Sequence, residues 1–122
     1  MASEKFVKAL DATDEVDLTV TGRRTGRTIS RPVWFVREGH TLWLVPVKGS
    51  QTEWFKNVER NSTIRIGAKA VEWTATARPV RDARTVREVV EKFRSKYGAD
   101  QVKKYYSTFD AAAEVPLAEQ TA

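Results

Sequence analysis

The chain has 122 residues, a length that suits one domain with an apolar core of its own. It contains no cysteine, which excludes disulfides, zinc–thiolate sites, iron–sulfur clusters and thiol nucleophiles. The formal net charge is +5, and four arginines lie within residues 21–31, a stretch without an acid. This charge favours an anionic partner, or it serves solubility alone. Without an apolar leader or an apolar run long enough to span a membrane, we expect a single cytoplasmic domain over residues 1–122.

The first third of the chain predicts one helix and two strands. An N-terminal helix is expected within residues 1–12, and alternating apolar residues over 16–20 predict a half-buried strand. The glycines of residues 22–26 predict a turn. A second strand runs over residues 28–37, and the glycine that follows predicts a hairpin.

The strand over residues 28–37 has two unlike faces. Ile29, Val33 and Phe35 form the more uniformly apolar face, which we expect to point into the core. Trp34 lies on the opposite face. An exposed tryptophan beside a cleft and a buried barrel tryptophan both fit this position, and the comparison of the two faces favours the cleft.

The middle of the chain predicts a buried strand followed by a short helix. Residues 42–47 are apolar on both faces, which indicates a strand covered on both sides. Ser50 and Glu53 have the spacing of a capping box, so Ser50 is the predicted N-cap of a helix. Alternating residues over 63–67 and 70–80 predict two further strands.

The last third predicts the longest helix. Asp82 is its predicted N-cap, its apolar residues share one face, and Gly98 is expected to end it. A short helix, a last strand over residues 112–117 and a loose tail over 118–122 follow. With about six mostly antiparallel strands and flanking helices, the pattern predicts an α+β fold with a closed barrel.

Two segments have the composition of anion-binding loops. In the turn that carries Arg23 and Arg24, two glycines let backbone N–H groups converge while the arginine forks suit phosphate oxygens. An ordinary hairpin turn with solvated arginines is the alternative. Lys48 and Gly49 precede the free N–H groups of a predicted helix start, which also favours an anion. A strand-to-helix loop with a surface lysine explains this segment equally well.

Aromatic residues suggest where a flat ring could lie. Trp54 and Asn57 share one helix face and suit stacking on and hydrogen bonding to a ring, or they are a core tryptophan and a surface asparagine. Tyr97, Tyr105 and Tyr106 either line a pocket mouth or take part in amphipathic packing.

No catalytic or metal-binding pattern is visible among the polar residues. The only histidine, His40, lies in a predicted turn, so no metal site is expected. The acids Asp11, Asp14, Glu15 and Asp17 fit a solvated edge, and no triad-like arrangement is visible.

Four segments, taken in order, resemble the deazaflavin-dependent nitroreductase family of split β-barrel flavin and deazaflavin oxidoreductases. They are Thr-Gly-Arg-Arg-Thr-Gly-Arg at 21–27, Arg-Pro-Val-Trp-Phe-Val at 31–36, Lys-Gly at 48–49 and Trp-Phe-Lys-Asn at 54–57. The combination is much more specific than any single segment. The similarity extends over residues 15–97.

The resemblance implies a split barrel that binds coenzyme F-420, an 8-hydroxy-5-deazaflavin. The reduced cofactor would pass a hydride to a small-molecule electron acceptor: a quinone, a nitro compound or an activated alkene. The cofactor-binding residues that the resemblance implies are Arg23, Arg24, Thr25, Gly26, Arg31, Pro32, Val33, Lys48, Gly49, Trp54 and Asn57. Trp34 and Tyr97 are the candidates for the acceptor pocket.

Two rival classes stay open on the sequence. One is a split barrel that uses FMN or haem, and the other is a non-catalytic module that carries a cofactor or binds nucleic acid. Nucleic-acid binding would need aromatic residues interleaved with basic ones on an open face, whereas the tryptophans are spread over separate elements. We therefore expect no nucleic-acid partner, and a homodimer is an open possibility.

Overall fold

The computed structural model describes residues 3–117 and confirms the α+β prediction. The helices of this part are α1 (Glu4–Asp11), α2 (Glu53–Arg60), α3 (Ala83–Tyr97) and α4 (Ala99–Tyr105), and a 3-10 turn covers Gly49–Gln51. Its strands are β1 (Glu15–Thr21), β2 (Thr28–Trp34), β3 (Val36–Glu38), β4 (Thr41–Leu44), β5 (Thr63–Ala68), β6 (Val71–Thr76), β7 (Arg78–Val80) and β8 (Ala112–Pro116). The loose tail expected over 118–122 lies outside the described residues.

The strands form two antiparallel sheets of four strands each. The first sheet has the order β2-β1-β5-β6, and the second has the order β3-β4-β8-β7. The strand register places Glu15 opposite Trp34 and Leu18 opposite Arg31 at one edge of the first sheet. This edge, formed by β2, is where the candidate site lies.

Two corner residues connect the sheets, and they explain why the structure has eight strands where the sequence predicts about six. Phe35 separates β2 from β3, and Ala77 separates β6 from β7, so the chain leaves the first sheet and enters the second at each corner. Both corner side chains are buried. The alternation over residues 28–37 and 70–80 continues through the bends, which is why the sequence predicts one strand where the structure has two.

One apolar core lies between the sheets, and a second cluster joins the helices α3 and α4 to them. The largest fully buried side chains of the first core are Phe6, Leu10, Leu18, Phe35, Leu42, Leu44, Phe55, Ile64, Ile66 and Leu117. The second cluster consists of Val45, Val86, Val89, Val90, Phe93, Val102, Tyr106 and Ala112. Each fully buried apolar side chain of this size contributes about 1.5–3 kcal/mol to folding.

The predicted ends of the longest helix are confirmed. The carboxylate of Asp82 accepts the backbone N–H of Thr85 at 2.9 Å, and Gly98 follows the last turn of α3 with a φ of 96°. The apolar stripe of this helix is buried in the second cluster. Ile29, by contrast, is 38% exposed because β2 is an edge strand, so the predicted core face of residues 28–37 is only partly correct.

The capping box predicted at Ser50 is wrong. The 3-10 turn comes first, and α2 begins at Glu53 behind Thr52, which makes no side-chain cap hydrogen bond. The hydroxyl of Ser50 instead donates to Asp110 at 2.7 Å. Ser50 therefore bonds to the distant carboxylate of Asp110 and does not cap α2.

Within the described part of the chain, no helix is long and apolar enough to cross a membrane. Residues 3–117 also contain no group of three or more carboxylate or imidazole side chains that could hold a metal ion.

Candidate functional site

A cavity of about 430 Å³ opens beside the corner at Phe35, and we call it the aromatic pocket. Its walls come from β1, β2, α2, α4 and the segments after β4 and α4. The lining residues are Glu15, Pro32, Val33, Trp34, Val45, Val47, Trp54, Gln101, Tyr105 and Tyr106. A concave, mostly apolar cavity of this size is typical of a small-molecule site.

A larger groove of about 960 Å³ runs along the edge strands β6 and β7. Threonine, alanine and proline residues dominate its lining, and none of the residues predicted to bind a cofactor takes part. The aromatic pocket contains three of those residues, Pro32, Val33 and Trp54, together with the acceptor-pocket candidate Trp34, so we treat it as the candidate site.

Trp34 forms a wall of the aromatic pocket and lies outside the core between the sheets. Its ring stacks on that of Tyr97, with centroids 4.2 Å apart and planes 7° from parallel. The edge of Tyr105 meets it at a centroid distance of 5.6 Å. This is the placement that the two unlike strand faces predict, and the role of Trp34 stays a prediction.

Tyr97 lies behind Trp34 and does not line the pocket. Its hydroxyl accepts the backbone N–H of Phe35 at 3.1 Å and donates to the carbonyl of Asp14 at 2.6 Å. Burial raises the pKa of Tyr97 to about 12. Tyr97, a predicted acceptor-pocket residue, therefore supports the pocket from behind: its ring packs on Trp34, and its hydroxyl binds the backbone at the Phe35 corner.

Lys96, which precedes Tyr97, binds the same corner. Its ammonium donates to the carbonyl of Phe35 at 2.7 Å and lies 3.6 Å from the centroid of the Phe35 ring. Burial lowers the pKa of Lys96. Two consecutive side chains at the end of α3 thus hold the peptide groups of one corner residue, and sequence reasoning missed the lysine.

Arg23 and Asn57, two of the predicted cofactor-binding residues, are hydrogen-bonded to each other. The backbone N–H and the guanidinium of Arg23 both donate to Asn57 Oδ1, at 3.0 and 2.8 Å. A further guanidinium N–H donates to Glu53 at 2.7 Å and lowers the pKa of that carboxyl. Arg23 therefore fastens the turn of residues 22–26, which we call the arginine turn, to α2, and Asn57 is 4% exposed.

Three other cations of the predicted site, and Arg27 next to them in the chain, are exposed and form no ion pair among residues 3–117. They are Arg24, Arg27, Arg31 and Lys48. Between them the turn is shaped by Gly26, which has a φ of 75°, and by the hydroxyl of Thr25, which accepts the N–H of Arg27 at 3.3 Å. These cations are available to an anionic ligand.

Trp54 lies between the aromatic pocket and the exposed cations Arg24, Arg27, Arg31 and Lys48, which we call the positive region. It lines the pocket and also a cavity of about 40 Å³ that Arg31 and Asn57 border. Strand β2 rises about 3.3 Å per residue, so Arg31 lies about 10 Å along the strand from Trp34, and the arginine turn lies beyond it. The aromatic and the basic residues thus follow one strand in sequence.

The loop that carries Lys48 is closed by an internal carboxylate. Asp110 accepts the N–H and the hydroxyl of Ser50, both at 2.7 Å, and these bonds hold its pKa below the usual range. Gly49 has a φ of 58°, and a Cβ there would lie 2.1 Å from Asp110 Oδ1. The anion-binding position predicted after Lys48 and Gly49 is therefore occupied by the carboxylate of Asp110. Asp110 gave no signal in the sequence because it lies 60 residues away.

The sequence left the roles of three other lining residues undecided or unrecognised. Tyr105 and Tyr106 were ambiguous between a pocket mouth and packing, and both line the pocket. Burial raises the pKa of Tyr106 well above its usual value, so its phenol stays protonated. Glu15 fitted a solvated acidic edge, and only its register opposite Trp34 brings it to the pocket.

The residues present fit a flat ring joined to an acidic tail. Two indole rings and three valines line the space for the ring, while the exposed arginines and Lys48 offer charge for phosphate and carboxylate groups. The fold and this arrangement define a cofactor-binding split β-barrel protein. Residues 2–115 match the F420H(2)-dependent quinone reductase family, so the chain belongs to that family.

Solved structures with the same fold have low sequence identity to this chain. An F420-H2 dependent reductase (FDR-A) is 20% identical, with a TM-score of 0.65 over 84% of this chain and 93% of its own. HutZ, the haem storage protein from Vibrio cholerae, is 16% identical, with a TM-score of 0.70 over 99% and 93%. A protein solved as a domain-swapped dimer is 18% identical, with a TM-score of 0.67 over 92% and 94%.

These likenesses confirm the split β-barrel fold. A comparison with curated proteins found no match. Membership of the family confirms the predicted reductase activity, the F-420 cofactor and a quinone as the type of acceptor.

Proposed function

We propose that the aromatic pocket holds the deazaflavin ring and the quinone side by side. Four cations outside it hold the phosphate and the acidic tail of the cofactor. They are Arg24, Arg27, Arg31 and Lys48. The proposal rests on the order of residues along β2. Read backward from the end of the strand, the pocket residues Pro32 to Trp34 come first, then Arg31, and then the arginine turn that precedes β2.

The pocket walls orient flat rings and exclude water. When bound, reduced F-420 supplies a hydride from ring C5 to the acceptor. Half-buried Trp34 offers planar apolar surface, and Val45, Trp54 and Tyr106 close the inner side of the cavity, since all three are at most 7% exposed. Close and fixed approach of the two reacting rings is the main contribution that a protein makes to such a transfer.

Rigid support keeps Trp34 in place. Tyr97 stacks on the ring of Trp34, and its hydroxyl is bound to two backbone groups. The phenol of Tyr106 is protonated at neutral pH, and burial moves its pKa further upward, so it can serve as a hydrogen-bond donor toward a quinone oxygen. These residues position the acceptor, while the redox chemistry belongs to the cofactor.

Calorimetric titration with F-420 and with FMN at low and high salt tests the proposal. We expect tighter binding of F-420, because FMN lacks the acidic tail, and a loss of affinity as salt screens the exposed cations. Arg31→Ala should weaken F-420 binding about ten- to hundredfold by removing a charge-assisted contact. Arg87→Ala, which removes an exposed arginine of α3 far along the chain, is the matched control.

Equal affinity for FMN and F-420, or binding that is insensitive to salt, would contradict the assignment of the tail site. So would an Arg31→Ala variant that binds F-420 like the Arg87→Ala control.

The cysteine-free chain and its reduced cofactor also support a cytoplasmic location, which we propose. A single domain over residues 1–122, a homodimer and the absence of a nucleic-acid partner stay predictions, and size-exclusion chromatography tests the homodimer.

A further inference from the structure

We propose that Glu15 is a specificity-determining residue that makes the aromatic pocket favour neutral quinones over anionic ones. This inference rests on the proposed function, because it requires the quinone to enter the pocket. It adds a charge criterion to the class of acceptor that the pocket takes.

The position of Glu15 is set by the strand register. It is the first residue of β1 and pairs with Trp34 across the antiparallel ladder. Side chains of directly opposite residues lie on the same face, with Cβ atoms about 4.5–5.5 Å apart. The carboxylate is therefore a neighbour of the indole ring that forms the pocket wall, and Glu15 lines the cavity.

Among the described residues that line the pocket, Glu15 is the only charged one, since the others are aromatic, aliphatic or neutral polar side chains. It forms no ion pair within residues 3–117. A neighbouring cation, Lys104, has its ammonium 5.3 Å from the centroid of the Tyr105 ring but does not line the cavity. The wall of the pocket thus carries one uncompensated negative charge.

This charge opposes the nearby positive region. Arg31 and Lys48 attract anions, so an anionic acceptor would compete with the cofactor tail for them. A carboxylate in the pocket wall makes that end of the site unfavourable for an anion, and discrimination by a repulsive element is a common route to specificity. At separations of 6 to 8 Å and partial screening, the repulsion of two unit charges corresponds to roughly three- to thirtyfold in affinity.

Steady-state oxidation of reduced F-420 by two quinones tests the inference. Menadione is the neutral acceptor, and a naphthoquinone sulfonate is the anionic one. In Glu15→Gln, the ratio of kcat/KM for the sulfonate to kcat/KM for menadione should rise roughly three- to thirtyfold over the wild-type ratio. The charge-reversing variant Glu15→Lys should raise the ratio further, and high salt should reduce the difference between the variants.

Asp17→Asn is the matched control. Asp17 is an exposed acid on the same strand face, two residues further on and opposite Pro32, but it does not line the aromatic pocket. Its substitution should leave the ratio at the wild-type value. A ratio that responds equally to Asp17→Asn would point to the general charge of the surface and would overturn the inference.

A ratio that is unchanged in Glu15→Gln and Glu15→Lys, while both quinones are turned over, would also overturn it and leave the proposed function intact. Failure of the proposed function gives another result: wild-type protein that binds F-420 but oxidises its reduced form with neither quinone.

Discussion

Tyr97 supports the pocket although it does not line it. Its hydroxyl bonds to the backbone of Asp14 and Phe35, and its ring backs that of Trp34. Tyr97→Phe keeps the ring but leaves the N–H of Phe35 without this partner. An unsatisfied buried donor costs about 1–3 kcal/mol, so the melting temperature should fall by several degrees. Thermal unfolding measures this, and Tyr105→Phe, which alters an exposed tyrosine, should melt like wild type.

High pH provides a second readout of the same residue. The pKa of Tyr97 is raised to about 12 in the folded protein, whereas a tyrosine in an unfolded chain titrates near 10. The stability that its protonated form contributes is therefore complete below pH 10 and is lost as the pH rises toward 12. We expect the free energy of unfolding to fall less steeply over this range in Tyr97→Phe. An identical fall in both proteins would contradict the burial of the phenol.

At this scale the sequence could indicate which residue types matter but not their partners. Arg23 and Arg31 look alike in the sequence, yet Arg23 is bound to Glu53 and Asn57 while Arg31 forms no ion pair in the described part of the chain. Asp110 offered no signal because its partner Ser50 is distant in the chain. Local patterns do not report which of several cations a distant carboxylate or amide will bind.

The loop between β4 and α2 depends on a glycine. Gly49 has a φ of 58°, and a Cβ there would meet Asp110 Oδ1 at 2.1 Å and Thr108 Cγ2 at 2.8 Å. Gly49→Ala should therefore displace the loop, break the Ser50–Asp110 contact and move Lys48. We expect a loss of about 1–3 kcal/mol in the free energy of unfolding and weaker binding of F-420. Chemical denaturation and calorimetry measure these two effects.

Gly39→Ala is the control that introduces the same backbone strain as Gly49→Ala without a steric clash of the added Cβ. Gly39 has a similar φ of 60°, but a Cβ there would meet nothing within 4 Å. This variant should lose a little stability and bind F-420 like wild type. If Gly49→Ala also binds F-420 normally, then the loop has no part in holding the cofactor.

Most strand positions were predictable from the apolar pattern, but the two corners were not, and β4 ends at Leu44 although the pattern predicts a strand up to residue 47. Phe35 continues the apolar alternation of its strand, and the bend there is held by Lys96 and Tyr97, which lie 61 and 62 residues further along the chain. The capping box at Ser50 failed for the same reason, because Asp110 outcompeted the local arrangement. Element types follow from local periodicity, but bends and caps that depend on tertiary contacts do not.

Across the whole molecule, charge and aromatic character follow the β2 edge. The carboxylate of Glu15 lies opposite Trp34 at one end, and the arginine turn lies at the other. This layout gives an elongated ligand one favourable orientation, with its ring at the corner and its anionic groups toward the turn. The sequence resemblance predicted the fold and the cofactor, while the separation of supporting from lining residues required the packing of α3 and α4 on the sheets.

Two tryptophans test whether the aromatic pocket is where the quinone is reduced. Trp34→Ala and Trp43→Ala form a matched pair, since both tryptophans are half-buried and pack against the second cluster but only Trp34 lines the pocket. The decisive measurement is kcat/KM for menadione with reduced F-420, taken with the melting temperature of each variant. We predict similar losses of melting temperature and a loss of at least about tenfold in kcat/KM for Trp34→Ala alone. Equal turnover by the two variants would contradict the assignment of the pocket.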